Sequence, residues 1–304
     1  MDGTHAGSDE REDRIAVDRP LLIVGAPRSG TTWLHRLLLA DDRFCGGQES
    51  HFFVSFAGAV RDFDRKLQMQ RPHGLACAWT RTELLDQIRA LWRRTMQPPI
   101  KARPDAVRLV EKTPDHALHL DVIAEVLPQA RIIHLVRDSR AVTASLLAAH
   151  RDGWGRSWST GNARVAAGIW KRFVEAAESS AAAFPSQQYL RLHFEHLRED
   201  PVKALERVMS FAEIDATTKG IEQSVRTVAE ATSERPDENG YVLAGELRDR
   251  TVQEPTGFVR SGSIGGWRSE LGWRQARTVW SETGMLMRRL GYHRDGSLDE
   301  TAVS

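Results

Sequence analysis

The stretch Gly25-Ala26-Pro27-Arg28-Ser29-Gly30-Thr31-Thr32-Trp33 has the residue types of an anion cradle. Its glycines permit close backbone approach, and successive N–H groups beside a helix start point at an anion. Arg28 adds a cation within reach of a phosphate oxygen, and Thr31 and Thr32 add hydroxyl donors. Gly25 and Gly30 keep the spacing of the nucleotide-triphosphate loop, but Thr31 stands where that loop has lysine. A kinase or NTPase needs that lysine at the β/γ-phosphates. The residues therefore point to a phosphate-bearing ligand and weaken an NTPase reading. A tight strand–helix turn without a ligand is the bland alternative.

"PRSGTTWL" resembles the 5′-phosphosulfate loop of the sulfotransferases that use 3′-phosphoadenosine-5′-phosphosulfate (PAPS), with Arg28, Ser29, Gly30, Thr31, Thr32 and Trp33 in the loop. Further segments carry the same resemblance. "RIIHLVRDSRAVTASL" places Arg137 at a strand end and Ser145 eight residues on, like the family's 3′-phosphate site. Two helical turns separate them, so both can face one phosphate, and the arginine fork suits its oxygens. A salt bridge to Asp138 and a helix-packing role are the plain alternatives. "FVRSGSIGGWRSELG" resembles the R-x-G-x-x-G-x-W segment that folds over the nucleotide, with Arg260, Ser261, Gly262, Gly265 and Trp267. Ser261 stands where some cytosolic members have a second basic residue.

Catalytic residues come from the resemblance as well. "GGQESHFF" is similar to the E-x-H-F-F stretch of heparan sulfate sulfotransferases, and Glu49 lies 21 residues beyond Arg28, as in the protein-tyrosine group. In both groups the glutamate is the general base. His51 orients Glu49 or the acceptor, or is a structural histidine. "VRLVEKTPDH" resembles the E-K-T/S-P stretch whose lysine, here Lys112, contacts the transferring sulfonate. Glu111 then pairs with Lys112 or with an arginine. The histidine base of the phenol and steroid enzymes has no counterpart in its slot, which Pro114 fills; His116 comes two residues later and is the lesser candidate. Trp33 is read as core in preference to an adenine contact.

The resemblance implies in-line transfer of a sulfonate from PAPS to a hydroxyl of a metabolite, lipid, glycan or tyrosine, releasing adenosine 3′,5′-bisphosphate. Glu49 would take the proton, Lys112 and Arg28 would stabilise the sulfonate and 5′-phosphate, and Arg137, Ser145 and Arg260 would grip the 3′-phosphate. No metal is needed, and no cluster has metal-ligand spacing. The rivals are a P-loop small-molecule kinase and a non-catalytic nucleotide-binding protein on the same fold. Aromatics and arginines between Phe52 and Arg108, with Trp154, Trp158 and Tyr241, could line an acceptor pocket, without choosing the acceptor.

These residues must be held by alternating elements. Apolar strands are expected at Leu21–Val24, Val107–Val110, Arg131–Val136 and Gln188–Phe194. Helices are expected at Thr31–Ala40, Thr82–Met96, Leu118–Leu127, Arg140–His150, Asn162–Ala183, Pro201–Ala212 and Gln275–Leu290. Strands separated by helices imply an α/β fold, a central parallel sheet flanked by helices. The resemblance specifies its P-loop, sulfotransferase-type form. Ligands in such sheets lie beyond the strand carboxyl ends, where the motifs fall.

The 304 residues suit a single domain over 19–293, with polar tails at 1–18 and 294–304. A net charge of +1 argues against a nucleic-acid partner. No stretch is apolar enough for a membrane span or signal core. Two cysteines without metal spacing fit a reducing cytoplasm, and the arginine-rich composition fits a bacterial source. The expected partner is a small-molecule, glycan or peptide acceptor; a homodimer is left open.

Overall fold

The computed structural model describes residues 17–234 and 262–299. Five strands form one sheet in the order β2-β3-β1-β4-β5: β1 Leu21–Val24, β2 Phe44–Gly46, β3 Arg108–Lys112, β4 Arg131–Val136 and β5 Tyr189–His193. Every pairing is parallel. This is the expected α/β architecture, and three of the four expected strands coincide to within a residue or two with β1, β4 and β5. The strand expected at Val107–Val110 starts later and runs on to Lys112. β2 was not expected. It is three residues long and pairs only with β3, too short to show a periodic pattern.

Side chains alternate across β1. Leu21 and Ile23 enter one apolar core and Leu22 and Val24 the other. The first core is filled by α1 (Thr31–Leu39), α9 (Pro201–Phe211) and α10 (Thr218–Glu234). The second receives α2 (Phe52–Leu67), α3 (Arg81–Thr95), α5 (Leu120–Val126), α6 (Ser139–Arg151), α7 (Ala163–Ser180) and α12 (Trp273–Arg289). Short helices α4 (Gln97–Ala102), α8 (Phe194–Glu199) and α11 (Trp267–Glu270) complete the described chain. Among the described residues no helix is long and apolar enough to cross a membrane.

Expected helices agree within a few residues, with two local differences. Residues Pro114–Leu118 form a 3-10 turn ahead of α5, because Pro114 sets the first position of a tight turn after β3. Helices α2, α4, α8, α10 and α11 were not expected. The packed chain also runs past 293. Arg140 donates to the carbonyls of His293 (3.0 Å) and Arg294 (2.6 Å), Asp299 N donates to Gly291 O, and Leu298 packs on the core.

The turn after β4 is fastened from three sides. The Trp170 indole donates to Arg137 O (2.9 Å), Asp138 N donates to Glu195 Oε1 (3.0 Å), and the Asp138 carboxylate caps α6 through Arg140 N (2.8 Å). Tyr292 OH donates to Glu195 Oε2 (2.7 Å), and His193 Nε2 donates to Leu290 O (2.9 Å), so the C-terminal segment is bound to the same turn. Burial pushes the Glu195 carboxyl up to about 7 from its ordinary 4.5. The unfolded chain ionises first as pH rises, so this group's stabilisation is full below about 4.5 and is lost by about 7. Glu195→Gln keeps an acceptor for Asp138 N and a polar partner for Tyr292. Its melting temperature should fall less between pH 5 and 8 than that of the parent protein. Equal slopes in thermal unfolding would exclude Glu195 as the source.

Candidate active site

The carboxyl ends of β1, β3 and β4 lie side by side, with Ile23 level with Lys112 and Val24 level with His134. The loop after β1 leads into α1 at Gly30, whose backbone is left-handed (φ 96°) and whose side is open to Phe194. No side chain caps the N-terminus of α1, so its first N–H groups are available to an anion. Ser29 and Thr31 are buried, and Ser29 Oγ has no hydrogen-bond partner among the described residues. A buried hydroxyl in a glycine-bounded cradle fits a phosphate ligand.

Two groups of charged side chains flank this loop. On one side Arg28, itself left-handed (φ 74°), donates from Nε to Ser145 Oγ (2.9 Å), and its guanidinium lies 5.1 Å from the centre of the Trp154 ring. Arg137 Nη1 donates to Arg28 O (3.3 Å), and its guanidinium stacks 4.1 Å from the centre of Phe194. Arg28, Arg137 and Ser145 thus form one cluster. The sequence reading placed Arg28 with Lys112. In the structure the Arg28 side chain turns towards α6, while Lys112 stands on the other side of the loop.

That other side is built by β3. Lys112 is buried and forms an ion pair with Glu49 Oε1, while its ammonium also donates to Thr32 Oγ1 (3.2 Å). His51 Nε2 lies 3.4 Å from Glu49 Oε2. Partial burial pushes the Glu49 carboxyl up, but His51 and Lys112 outweigh it and hold it below the usual range. Glu49 in turn raises His51. Thr32 therefore joins the Lys112–Glu49 pair to the loop.

Among the described residues Glu111 pairs with neither Lys112 nor an arginine. Successive strand residues face opposite ways, so it turns away from Lys112. Its Oε1 accepts from Ser50 N (3.1 Å), Ser50 Oγ (2.8 Å) and Thr113 Oγ1 (2.6 Å). His116 is wholly buried, with Nδ1 3.0 Å from Glu111 Oε2 and Nε2 accepting from Phe53 N (3.2 Å). Both ring nitrogens are engaged in the interior, which removes His116 as a rival to Glu49 for contact with an acceptor. Trp33 is only half-buried. Its ring meets Phe194 edge-on at 5.9 Å, and the Arg198 guanidinium lies 5.2 Å from its centre.

Arg260, Ser261 and Tyr241 lie outside the described residues. Gly262 opens the second described stretch with φ 58°. Trp267 packs 4.1 Å from the Arg140 guanidinium, next to the Arg137 turn. Trp154 stacks on Trp158 at 5.6 Å.

Sequence reasoning missed His35 on α1. It is buried beneath Lys112, and burial together with that ammonium pushes it down to about 3. Its position under the site gives no signal in the spacing of the motifs.

The match to the sulfotransferase family model extends over residues 20–218. The chain belongs to the sulfotransferase family. Omega-hydroxy-beta-dihydromenaquinone-9 sulfotransferase Stf3 of Mycobacterium bovis is 29% identical over 186 residues, 46% of this chain and 47% of that protein. Protein-tyrosine sulfotransferase 1 of Danio rerio is 25% identical over 202 residues, 65% of this chain and 54% of that one. The chain spans about half the length of the curated relatives it matches. Among solved structures, mouse sulfotransferase SULT7A1 complexed with PAP gives a TM-score of 0.55 at 16% identity, over 89% of this chain and 84% of that one. Sulfotransferase STF9 from Mycobacterium avium gives 0.54 at 17%, over 92% and 79%. These two likenesses establish the shared fold.

The cradle has little room for a side chain. A Cβ on Gly30 would fall 2.4 Å from Phe194 Cδ2, and the residue is already left-handed. Gly30→Ala should therefore destabilise the protein by about 1–3 kcal/mol. Chemical denaturation of the variant beside the parent protein measures this, and unchanged stability would show that Phe194 yields freely.

Proposed function

We propose that this protein transfers a sulfonate group from PAPS to a hydroxyl acceptor, with Glu49 as general base. The observation that carries the reading is the Glu49 carboxylate held between Lys112 and His51, with Lys112 also on Thr32 of the loop. A base, a cation and an anion cradle meet there within hydrogen-bond reach. A kinase reading lacks the loop lysine, whose slot holds Thr31.

The donor supplies an activated sulfonate whose leaving group is adenosine 3′,5′-bisphosphate. Ser29, Thr31, Thr32 and the first N–H groups of α1 bind the 5′-phosphate. Arg137, Ser145 and Arg28 bind the 3′-phosphate side, and Arg260, Ser261 and Gly262 belong to the same group by their motif. Lys112 stabilises charge on the transferring sulfonate. A sulfonate beside Lys112 competes with Glu49 for its ammonium. As that ion pair loosens, the carboxylate loses a neighbouring cation and gains basicity when the acceptor proton must be taken. His51 keeps the carboxylate oriented. The acceptor is a metabolite, lipid, glycan or tyrosine hydroxyl. The names of the two curated relatives, a menaquinone-type and a protein-tyrosine sulfotransferase, bracket that range.

Glu49→Gln should lower turnover with labelled PAPS and a responsive acceptor by at least about a hundredfold, while calorimetry shows unchanged binding of adenosine 3′,5′-bisphosphate. Normal turnover would end the base assignment. Because Glu49 sits below its ordinary 4.5, its contribution to activity should persist at pH 5 and fail only at lower pH. Arg137→Ala should weaken the 3′,5′-bisphosphate far more than adenosine 5′-monophosphate. Equal weakening of the two would remove Arg137 from the 3′-phosphate.

A further inference from the structure

Helix α2 begins directly after the proposed base, yet has no cap of its own. Its N-cap is His51, left-handed at φ 48° and ψ 22°, and the His51 side chain makes no capping hydrogen bond. A non-glycine residue in this conformation is strained and persists only where its surroundings fix it. The N–H groups of a helix start also need acceptors.

All four backbone N–H groups from Ser50 to Phe53 find one, and three of the acceptors come from the end of β3 and the turn that follows it. Ser50 N donates to Glu111 Oε1 (3.1 Å), His51 N to Thr113 Oγ1 (3.3 Å) and Phe53 N to His116 Nε2 (3.2 Å). Phe52 N donates to Ser50 Oγ (3.2 Å), which donates onward to Glu111 Oε1 (2.8 Å). Thr113 Oγ1 donates to the same oxygen at 2.6 Å. Because His116 Nε2 accepts, Nδ1 is left to carry the ring proton, and it lies 3.0 Å from Glu111 Oε2. Every route therefore ends on one carboxylate, 3% exposed. A buried carboxylate is costly unless its oxygens are satisfied. Here Ser50 N, Ser50 Oγ and Thr113 Oγ1 satisfy Oε1 while the His116 ring stands beside Oε2, and the same donors fix the loop that presents Glu49 and His51.

We infer that Glu111 is a positioning residue for the catalytic base: through Ser50, Thr113 and His116 it holds the strained start of α2, and thereby sets His51 against Glu49. The inference rests on Glu49 being the base. β3 then acts on the base from both faces, with Lys112 on its carboxylate and Glu111 on its backbone.

The His51 ring reports this without an acceptor. Glu49, Asp115 and Glu111 are the charged groups that raise His51, Glu49 foremost. The experiment follows the His51 ring by NMR titration in the full chain, assigned with His51→Gln, in Glu111→Gln, Thr113→Val and Thr113→Ser. Thr113→Val keeps the Glu111 charge and removes only the hydroxyl that holds His51 N. In Glu111→Gln and Thr113→Val the His51 pKa should drop towards 6.5, and Thr113→Ser should restore the parent value. Adenosine 3′,5′-bisphosphate affinity should stay within about twofold in each, as expected of residues outside the donor site. An unchanged His51 titration in Thr113→Val overturns the inference, also where Glu111→Gln fails to fold. Absence of bisphosphate binding by the parent protein would instead defeat the donor assignment and leave the His51 result to decide this one.

Discussion

The site hangs from the parallel pairing of β1 with a strand on each side. Leu22 is level with Glu111 and with Ile132, and Ile23 with Lys112 and Ile133. That register brings three strand ends to one edge, so the loop after β1 has a lysine on one flank and the Arg137 turn on the other. Both faces of β1 are buried, and the two cores lock the register because a one-residue slip would turn Leu21 and Ile23 into the wrong layer. Packing thus fixes where the charges stand before any hydrogen bond among them forms.

From this edge the two halves of the site differ in how they are held. The cluster of Arg28, Arg137 and Ser145 is reached by long side chains stacked on Phe194 and Trp154. Aromatic faces guide guanidinium groups while leaving their N–H forks able to turn to a ligand. The Glu49 side is instead fixed by hydrogen bonds from the backbone of residues 50–53. A phosphate tolerates several donor arrangements. Proton abstraction depends more steeply on where the base stands.

Much of this was legible in the sequence because it is local. The loop, Arg137 with Ser145, and the order of strands and helices follow from spacing within a dozen residues. The Glu49 assignment also followed from a short motif. What was not legible depends on contacts between distant segments. Nothing near His51 announces the start of α2, since its cap comes from Glu111, Thr113 and His116 about sixty residues on. The direction of Arg28 is a side-chain choice set by Ser145 and Trp154. The partner of Glu111 followed from strand alternation, which the E-K-T-P pattern could have suggested had adjacent residues been assigned to opposite faces. The stretch after residue 293 looks like a tail because its anchor is its backbone, held by Arg140.

That anchorage has a consequence for synthesis. A chain leaves the ribosome N-terminus first, and its early segments can pack as they emerge. The loop after β1 emerges early, but the turn bearing Arg137 stays incomplete until Leu290, Tyr292, His293 and Arg294 arrive to engage His193, Glu195 and Arg140. A ribosome-stalled fragment ending before residue 290 would carry most of the fold and an unfinished Arg137 turn.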